Sequence, residues 1–161
     1  MRAFSQRLQE IIATEEPKLR AISEDEARGR VGGGEGWSRK QELGHLVDSA
    51  INNRLRFTKA ALEGEFVGPL YDGPGSVELG GYAEMPLSTL IELWKVLNQA
   101  LGALVDRIPQ ERLSAPCRFG DAKAVSLGFV IDDYILHMQH HLDHILSREH
   151  VTAYPGANLG F

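Results

Sequence analysis

Cysteine is almost absent from this chain, with one residue, Cys117, in 161. A single thiol excludes an internal disulfide framework and suits a reducing compartment, so a cytoplasmic location is expected. An unflanked cysteine in that setting reads as a small apolar filler rather than a reactive thiol. Long apolar runs are missing too, which argues against a membrane-spanning protein. Basic charge is not in excess: 17 Lys and Arg stand against 22 Asp and Glu, a formal net charge of -5. The charges are well mixed, so no nucleic-acid footprint is visible. The opening stretch, Met1-Arg2-Ala3-Phe4-Ser5-Gln6-Arg7, is too polar for a signal peptide. Internal repeats and low-complexity tracts are lacking. The expectation is one globular domain over residues 1–161 that acts on a small molecule, not on nucleic acid or a membrane.

What is present is helical periodicity. Phe4, Leu8, Ile11, Ile12, Leu19 and Ile22 predict a first helix over about residues 3–22. The stretch from Glu24 to Trp37, charged and then glycine-rich at Gly32-Gly33-Gly34, reads as a loop. Ser38 with Gln41 forms a capping box, which predicts a second helix from there to about residue 62. Its apolar positions are Leu43, Leu46, Val47, Ala50, Ile51, Phe57 and Ala61. Residues 63–85 hold six glycines and two prolines with Tyr71, Asp72 and Tyr82 among them. So long a link inside a compact domain is uncommon and often functional. A third helix opens at Pro86 and ends before Pro109; a fourth runs from near Ser126 to Arg148 or Glu149, followed by an extended tail to Phe161. Four amphipathic helices without a clear strand predict an all-α four-helix bundle with a long connection between the second and third helices.

The chemistry is concentrated in His137-Met138-Gln139-His140-His141-Leu142-Asp143-His144, four of the six histidines in eight positions. Imidazole is the commonest protein ligand of zinc, copper, nickel and iron. Residues four apart share one helix face, so two of these histidines can share one ion. At about 100° per residue, His141 lies roughly 60–80° from the centre of the apolar stripe and His137 roughly 100–120°. The pair His140/His144 turns farther toward solvent. His137 with His141 is therefore the favoured pair. A catalytic zinc takes three protein ligands and leaves a fourth position open. The third candidate is His45, although it lies almost opposite the apolar stripe of the second helix, among Gln41, Asp48, Asn52 and Arg56. By pattern alone His45 reads as a surface residue.

The segment Trp37-Ser38-Arg39-Lys40-Gln41-Glu42-Leu43-Gly44-His45-Leu46 resembles the start of the second helix in the DinB superfamily of metal-dependent four-helix bundles. The segment His137 to Ile145, with its His-x3-His, resembles that family's C-terminal helix, and the separation of the two segments also fits. The resemblance covers nearly the whole chain. It places the metal ligands on His45, His137 and His141, against the periodicity of His45. It also implies the activities found in the family: thiol S-transfer with bacillithiol, glutathione or mycothiol, a mycothiol-dependent isomerase, and damage-inducible members without a known reaction. The isomerase branch has a glutamate where this chain has His137, which argues against that activity.

The resulting expectation is a metal-dependent enzyme, a low-molecular-weight-thiol S-transferase or related hydrolase. The alternative is a bundle that binds metal in a stress response and catalyses nothing. Three neutral imidazoles leave a divalent ion its full charge, enough to acidify water toward pH 7 or to deprotonate a thiol. Zinc is the first candidate, with nickel and iron next. Asp48 and Asp133 are placed to orient imidazoles or accept a proton, though solvated carboxylates are the simpler reading of both. Tyr134 and Arg54, in the apolar stripes, could line a pocket. Glu42-x-x-His45 is half of a di-iron carboxylate motif, but no second half exists. Exposed apolar residues at helix flanks make a homodimer conceivable.

Overall fold

Four long amphipathic segments fold as helices in the computed structural model, which describes residues 4–31, 36–148, 152 and 154. In chain order the elements are α1 (Phe4–Arg20), α2 (Glu24–Arg28), α3 (Arg39–Glu63), β1 (Phe66–Gly68), α4 (Gly73–Gly80), α5 (Leu87–Val105), β2 (Pro116–Phe119), β3 (Val125–Ser126) and α6 (Leu127–Ile145), with a 3-10 turn over Gln110–Ser114 before β2. The long helices α1, α3, α5 and α6 are the predicted bundle. α3 packs against both α5 and α6, and α5 packs against α1. The buried side chains Leu8, Leu43, Leu46, Phe57, Leu90, Trp94, Leu101, Val130 and Met138 share one core. No helix among the described residues is long and apolar enough to cross a membrane.

The capping box at the head of α3 forms as its sequence predicts. Ser38 Oγ accepts from the Gln41 backbone N–H at 3.2 Å, and Gln41 Oε1 accepts from the Ser38 N–H at 2.9 Å. Gly64 ends the helix at φ 88°, a conformation open to glycine. At the other end of α3, Arg39, the residue after the Ser38 cap, joins the two histidine-bearing helices: its Nε donates to the Ile145 carbonyl at 2.9 Å and its Nη2 to Ser147 Oγ at 2.6 Å. α6 therefore stops at Ile145, short of the predicted Arg148, because Arg39 takes its terminal carbonyl and Ser147 turns to φ 51°.

The connections hold more structure than their composition predicts. Ser23 and Glu26 make a second capping box that starts α2 inside the supposed loop, a Ser-x-x-Glu signal the glycines that follow had masked. Gly32-Gly33-Gly34 and the extended tail beyond Tyr154 lie outside the described residues. Residues 63–85 are not one structureless link but contain β1 and α4, the latter capped by Asp72, whose Oδ1 accepts from the Gly75 N–H at 3.0 Å. β1 runs parallel to β2 with Phe66 opposite Cys117, and β2 runs antiparallel to β3. The sheet thus joins the two connections. Cys117 is buried and its thiol is pushed up to about 11 by that burial, as an apolar filler should be.

Two stripe assignments fail on α3. Ile51 is 51% exposed and Arg54 is exposed as well, whereas Lys40, His45, Ser49, Asn53 and Arg56 are buried. α3 is covered on two sides, by α5 and by α6, so a single apolar stripe does not define its buried surface.

Gly44 sits where the Tyr82 ring crosses α3. A Cβ there would lie 2.2 Å from Tyr82 Cγ. In an open helix, Gly→Ala stabilises by about 1 kcal/mol; here Gly44→Ala should destabilise by about 1–3 kcal/mol through overpacking. Urea unfolding of Gly44→Ala checks the sign, and in a Tyr82→Ala background the same substitution should cost much less, because the ring it strikes is gone.

Candidate metal centre

His45 sits two turns into α3, so the Ser38 cap fixes its height, and the Arg39 link to the end of α6 brings His137 and His141 opposite it. Rings of the three histidines lie 4.5–5.1 Å apart by centroid, all at steep angles to one another. One ring nitrogen from each can be chosen so that all three lie within 4.8 Å of one another. His45 Nε2 and His137 Nε2 face each other at 3.1 Å. Ligands at about 2.0–2.1 Å from a tetrahedral zinc would be about 3.3 Å apart, close to that separation.

The outward nitrogens of two rings meet partners of their own. His141 Nδ1 donates to Glu42 Oε2 at 2.5 Å, and His45 Nδ1 lies 3.3 Å from the Tyr71 hydroxyl. With their protons on Nδ1, both rings present an Nε2 lone pair inward, the tautomer a ligand needs. Burial drives the His45 pKa down to about 3, and the His141 ring next to it adds to the effect. Burial, followed by the charges of His141, His45, His140 and Arg56, holds His137 well below the usual imidazole range. Two facing lone pairs repel unless a proton or a cation lies between them. Neutral rings in this arrangement suit a divalent cation.

His45 is thus 3% exposed, not a surface residue. Its face of α3, polar in sequence, is the wall of an interhelical cleft. The angular order on α6 is inverted: His137 is 4% exposed and His141 only half-buried. The Tyr154 ring, 5.8 Å from that of His137, covers the flank that the helix angle placed outermost. The rings of His140 and His144 meet edge to face at 4.4 Å and are half-buried. His144 Nδ1 is 3.8 Å from the other oxygen of Glu42.

The two carboxylates singled out from sequence are found beside tyrosines. Asp48 Oδ1 accepts from the Tyr82 hydroxyl at 2.5 Å, and its Oδ2 is buried with no hydrogen-bond partner among the described residues. Asp133 is buried and accepts from the Tyr154 hydroxyl at 3.4 Å. Neither is a solvated surface carboxylate, and burial raises both, Asp133 to about 6. Tyr134 is ordinary packing, its hydroxyl donating to Asn98 Oδ1 at 2.7 Å. Sequence reasoning missed the parts played by Glu42 and Tyr71. Glu42 was visible one turn before His45, but only as half of a di-iron motif.

The sequence model of the DinB superfamily matches residues 7–145. This chain belongs to that superfamily. Two curated relatives carry the name "putative metal-dependent hydrolase". One, from Oceanobacillus iheyensis, is 29% identical over 112 residues, 70% of this chain and 64% of that protein. The other, from Halalkalibacterium halodurans, is 26% identical over 109 residues, 68% of this chain and 63% of that protein. The matches thus span just under two thirds of either relative's length. The fold is similar to that of YfiT from Bacillus subtilis, described as "a probable metal-dependent hydrolase with an unusual four-helix bundle topology", with a TM-score of 0.79 at 24% identity over 89% of this chain and 82% of that one. The DinB fold therefore accounts for the four-helix bundle.

The depressed histidines make the metal-free protein sensitive to acid. In the unfolded chain both imidazoles take a proton near pH 6.5, whereas in the fold His45 stays neutral to about 3 and His137 well below 6.5. The unfolded state then binds more protons, so stability should fall as pH drops below about 6.5. Asp133, raised to about 6, and Asp48, also raised, work the other way, so the histidine contribution is the part that removing both imidazoles takes away. Urea midpoints of metal-free protein at about pH 7.5 and about pH 5.5 should differ accordingly. His45→Gln with His137→Gln should flatten the difference.

Proposed function

We propose that this DinB-superfamily protein is a metal-dependent hydrolase of a small-molecule substrate, with a divalent cation, zinc first and nickel or iron next, held by His45, His137 and His141. The observation that carries the reading is the convergence of three ring nitrogens, two from buried histidines and one from a half-buried one, each within 4.8 Å of the others. The relatives' names point the same way. A divalent cation held there supplies Lewis acidity, polarising a carbonyl or phosphoryl oxygen and acidifying water toward neutral pH.

The chain's own residues do the rest. Glu42 fixes the His141 ring by accepting its Nδ1 proton, and Tyr71 meets the corresponding nitrogen of His45. Their negative charge and dipole make the imidazoles better donors. Asp48, anchored by Tyr82 through one oxygen, keeps the other available to take a proton. Trp37, whose ring lies 5.1 Å from that of His45, and Tyr154 keep bulk water from the flanks. Transfer of a low-molecular-weight thiol would draw on the same three histidines, because a set of three leaves a fourth position for either water or a thiol. The relatives' names give hydrolysis precedence.

Metal content separates the ligands from their neighbours. His141→Ala should lower bound zinc to a small fraction of wild type, while His140→Ala leaves it nearly unchanged. Glu42→Gln should weaken zinc affinity by roughly 10- to 100-fold, the usual cost of losing a carboxylate behind a ligating histidine. Equal loss in His140→Ala and His141→Ala would contradict the assignment. For the reaction itself, chelation should abolish hydrolysis across a panel of amides and esters and zinc should restore it. Turnover that instead requires bacillithiol, mycothiol or glutathione would assign the thiol reaction.

A further inference from the structure

Glu42 is only 8% exposed, and among the described residues no lysine or arginine pairs with it. A buried carboxylate needs a cation or a set of hydrogen bonds to offset its lost hydration. Glu42 meets two imidazoles instead. Its Oε2 accepts the His141 Nδ1 proton at 2.5 Å, and its Oε1 lies 3.8 Å from His144 Nδ1. His141 and His144 are three apart on α6 and so neighbours on its surface. Glu42 comes from the first turn of α3, which the Arg39 link holds against the end of α6. One ligand atom from each of these three residues can be chosen so that all lie within 4.8 Å of one another. His45 and His137 are buried, whereas His141 and His144 are half-buried, so this second group lies on the solvent side of the first.

Two imidazoles and one carboxylate are a donor set that holds zinc or iron(II) and leaves positions open for water. His141 belongs to both groups. Its Nδ1 faces Glu42, and its other nitrogen is the one turned toward His45 and His137. We propose that Glu42, His141 and His144 form a second divalent-cation site, with the His141 ring bridging it to the three-histidine centre. A cation there takes the place of the proton between His141 Nδ1 and Glu42. That proton leaves to solvent, as protons do when a metal displaces them from a ligand, and the ring bridges as an imidazolate. The negative charges of the imidazolate and of Glu42 then offset the repulsion between two nearby cations. Sites that share a ring are linked, so each ion alters the affinity for the other by the same factor. The bridge rests on the three-histidine reading above; the second site does not.

The test counts ions and needs no turnover. Metal-free, untagged full-length protein is titrated with zinc alone by calorimetry, and bound zinc is counted in parallel by equilibrium dialysis. Wild type should bind two equivalents. His144→Ala should keep one and lose the other, because the second site is left with two ligands while the three histidines are untouched. His45→Ala should also keep one, and the two substitutions together should leave neither. His140→Ala, whose ring lies beside His144 but outside the donor set, should keep both. Two equivalents that survive His144→Ala overturn the proposal, since the second ion then sits elsewhere. A single equivalent in wild type that His45→Ala removes and His144→Ala spares also overturns it, and leaves the three-histidine centre standing. A single equivalent with the opposite pattern overturns the three-histidine centre and keeps the site at Glu42, His141 and His144. Should His144→Ala fail to fold, His144→Gln carries the same comparison.

Discussion

Three imidazoles turned toward one another in an interhelical cleft, two of them buried, set the terms for everything around them. An uncharged ring buried there keeps a lone pair that must meet a proton or a cation. The fold answers by fixing the outer nitrogens instead, with Glu42 behind His141 and Tyr71 behind His45. Ser38 and Gln41 set the height of His45, and Arg39 ties that same end of α3 to the last carbonyl of α6. The position of the rings is thus determined by backbone caps, not by the packing of the rings themselves. Such caps are local and short, which is why a few residues near the head of one helix can help locate histidines almost a hundred residues away.

The same arrangement explains what the sequence disclosed and what it withheld. Helix spans followed from periodicity and capping because both are local: Ser38-x-x-Gln41 and the stripe of α5 needed no tertiary context. The His137/His141 pair was readable from a spacing of four. His45 was not, since α3 buries two faces and a stripe calculation assumes one; only the resemblance to a family drew it in. Arg56, read on the same polar face as His45, is buried for the same reason, while Arg54, read in the apolar stripe, is exposed. The strands were hidden by their length and by pairing across about fifty residues, Phe66 with Cys117. No pattern confined to three or four residues can announce a partner so distant.

The connections carry as much of the site as the helices do. α4 and the turn before it bring Tyr71 onto His45, and the residues after α4 bring Tyr82 over Gly44 so that its hydroxyl reaches Asp48. β2 brings Phe119 to Arg56. Each of these contacts comes from a segment that a four-helix description would treat as a link. A glycine- and proline-rich stretch is suited to this, because its backbone can turn tightly enough to present successive tyrosines to one helix.

The polar groups around the cleft also bear on where a nucleophile would come from. Cys117 is enclosed, and burial raises its thiol to about 11 even with the Arg56 charge acting in the opposite direction. At neutral pH it is a thiol, not a thiolate, and so a poor attacking group. Ser49 is fully buried and lies 3.4 Å from the Asn53 amide, with no base beside it to draw off its proton among the described contacts. The three histidines face one another and are placed to share a cation. Among the described residues neither Cys117 nor Ser49 is an activated nucleophile, which accords with the proposed role of water, or of a small thiol, at the three imidazoles. That is the chemistry a three-histidine centre serves, and the reason the reading of this protein rests on the centre instead of on any single catalytic side chain.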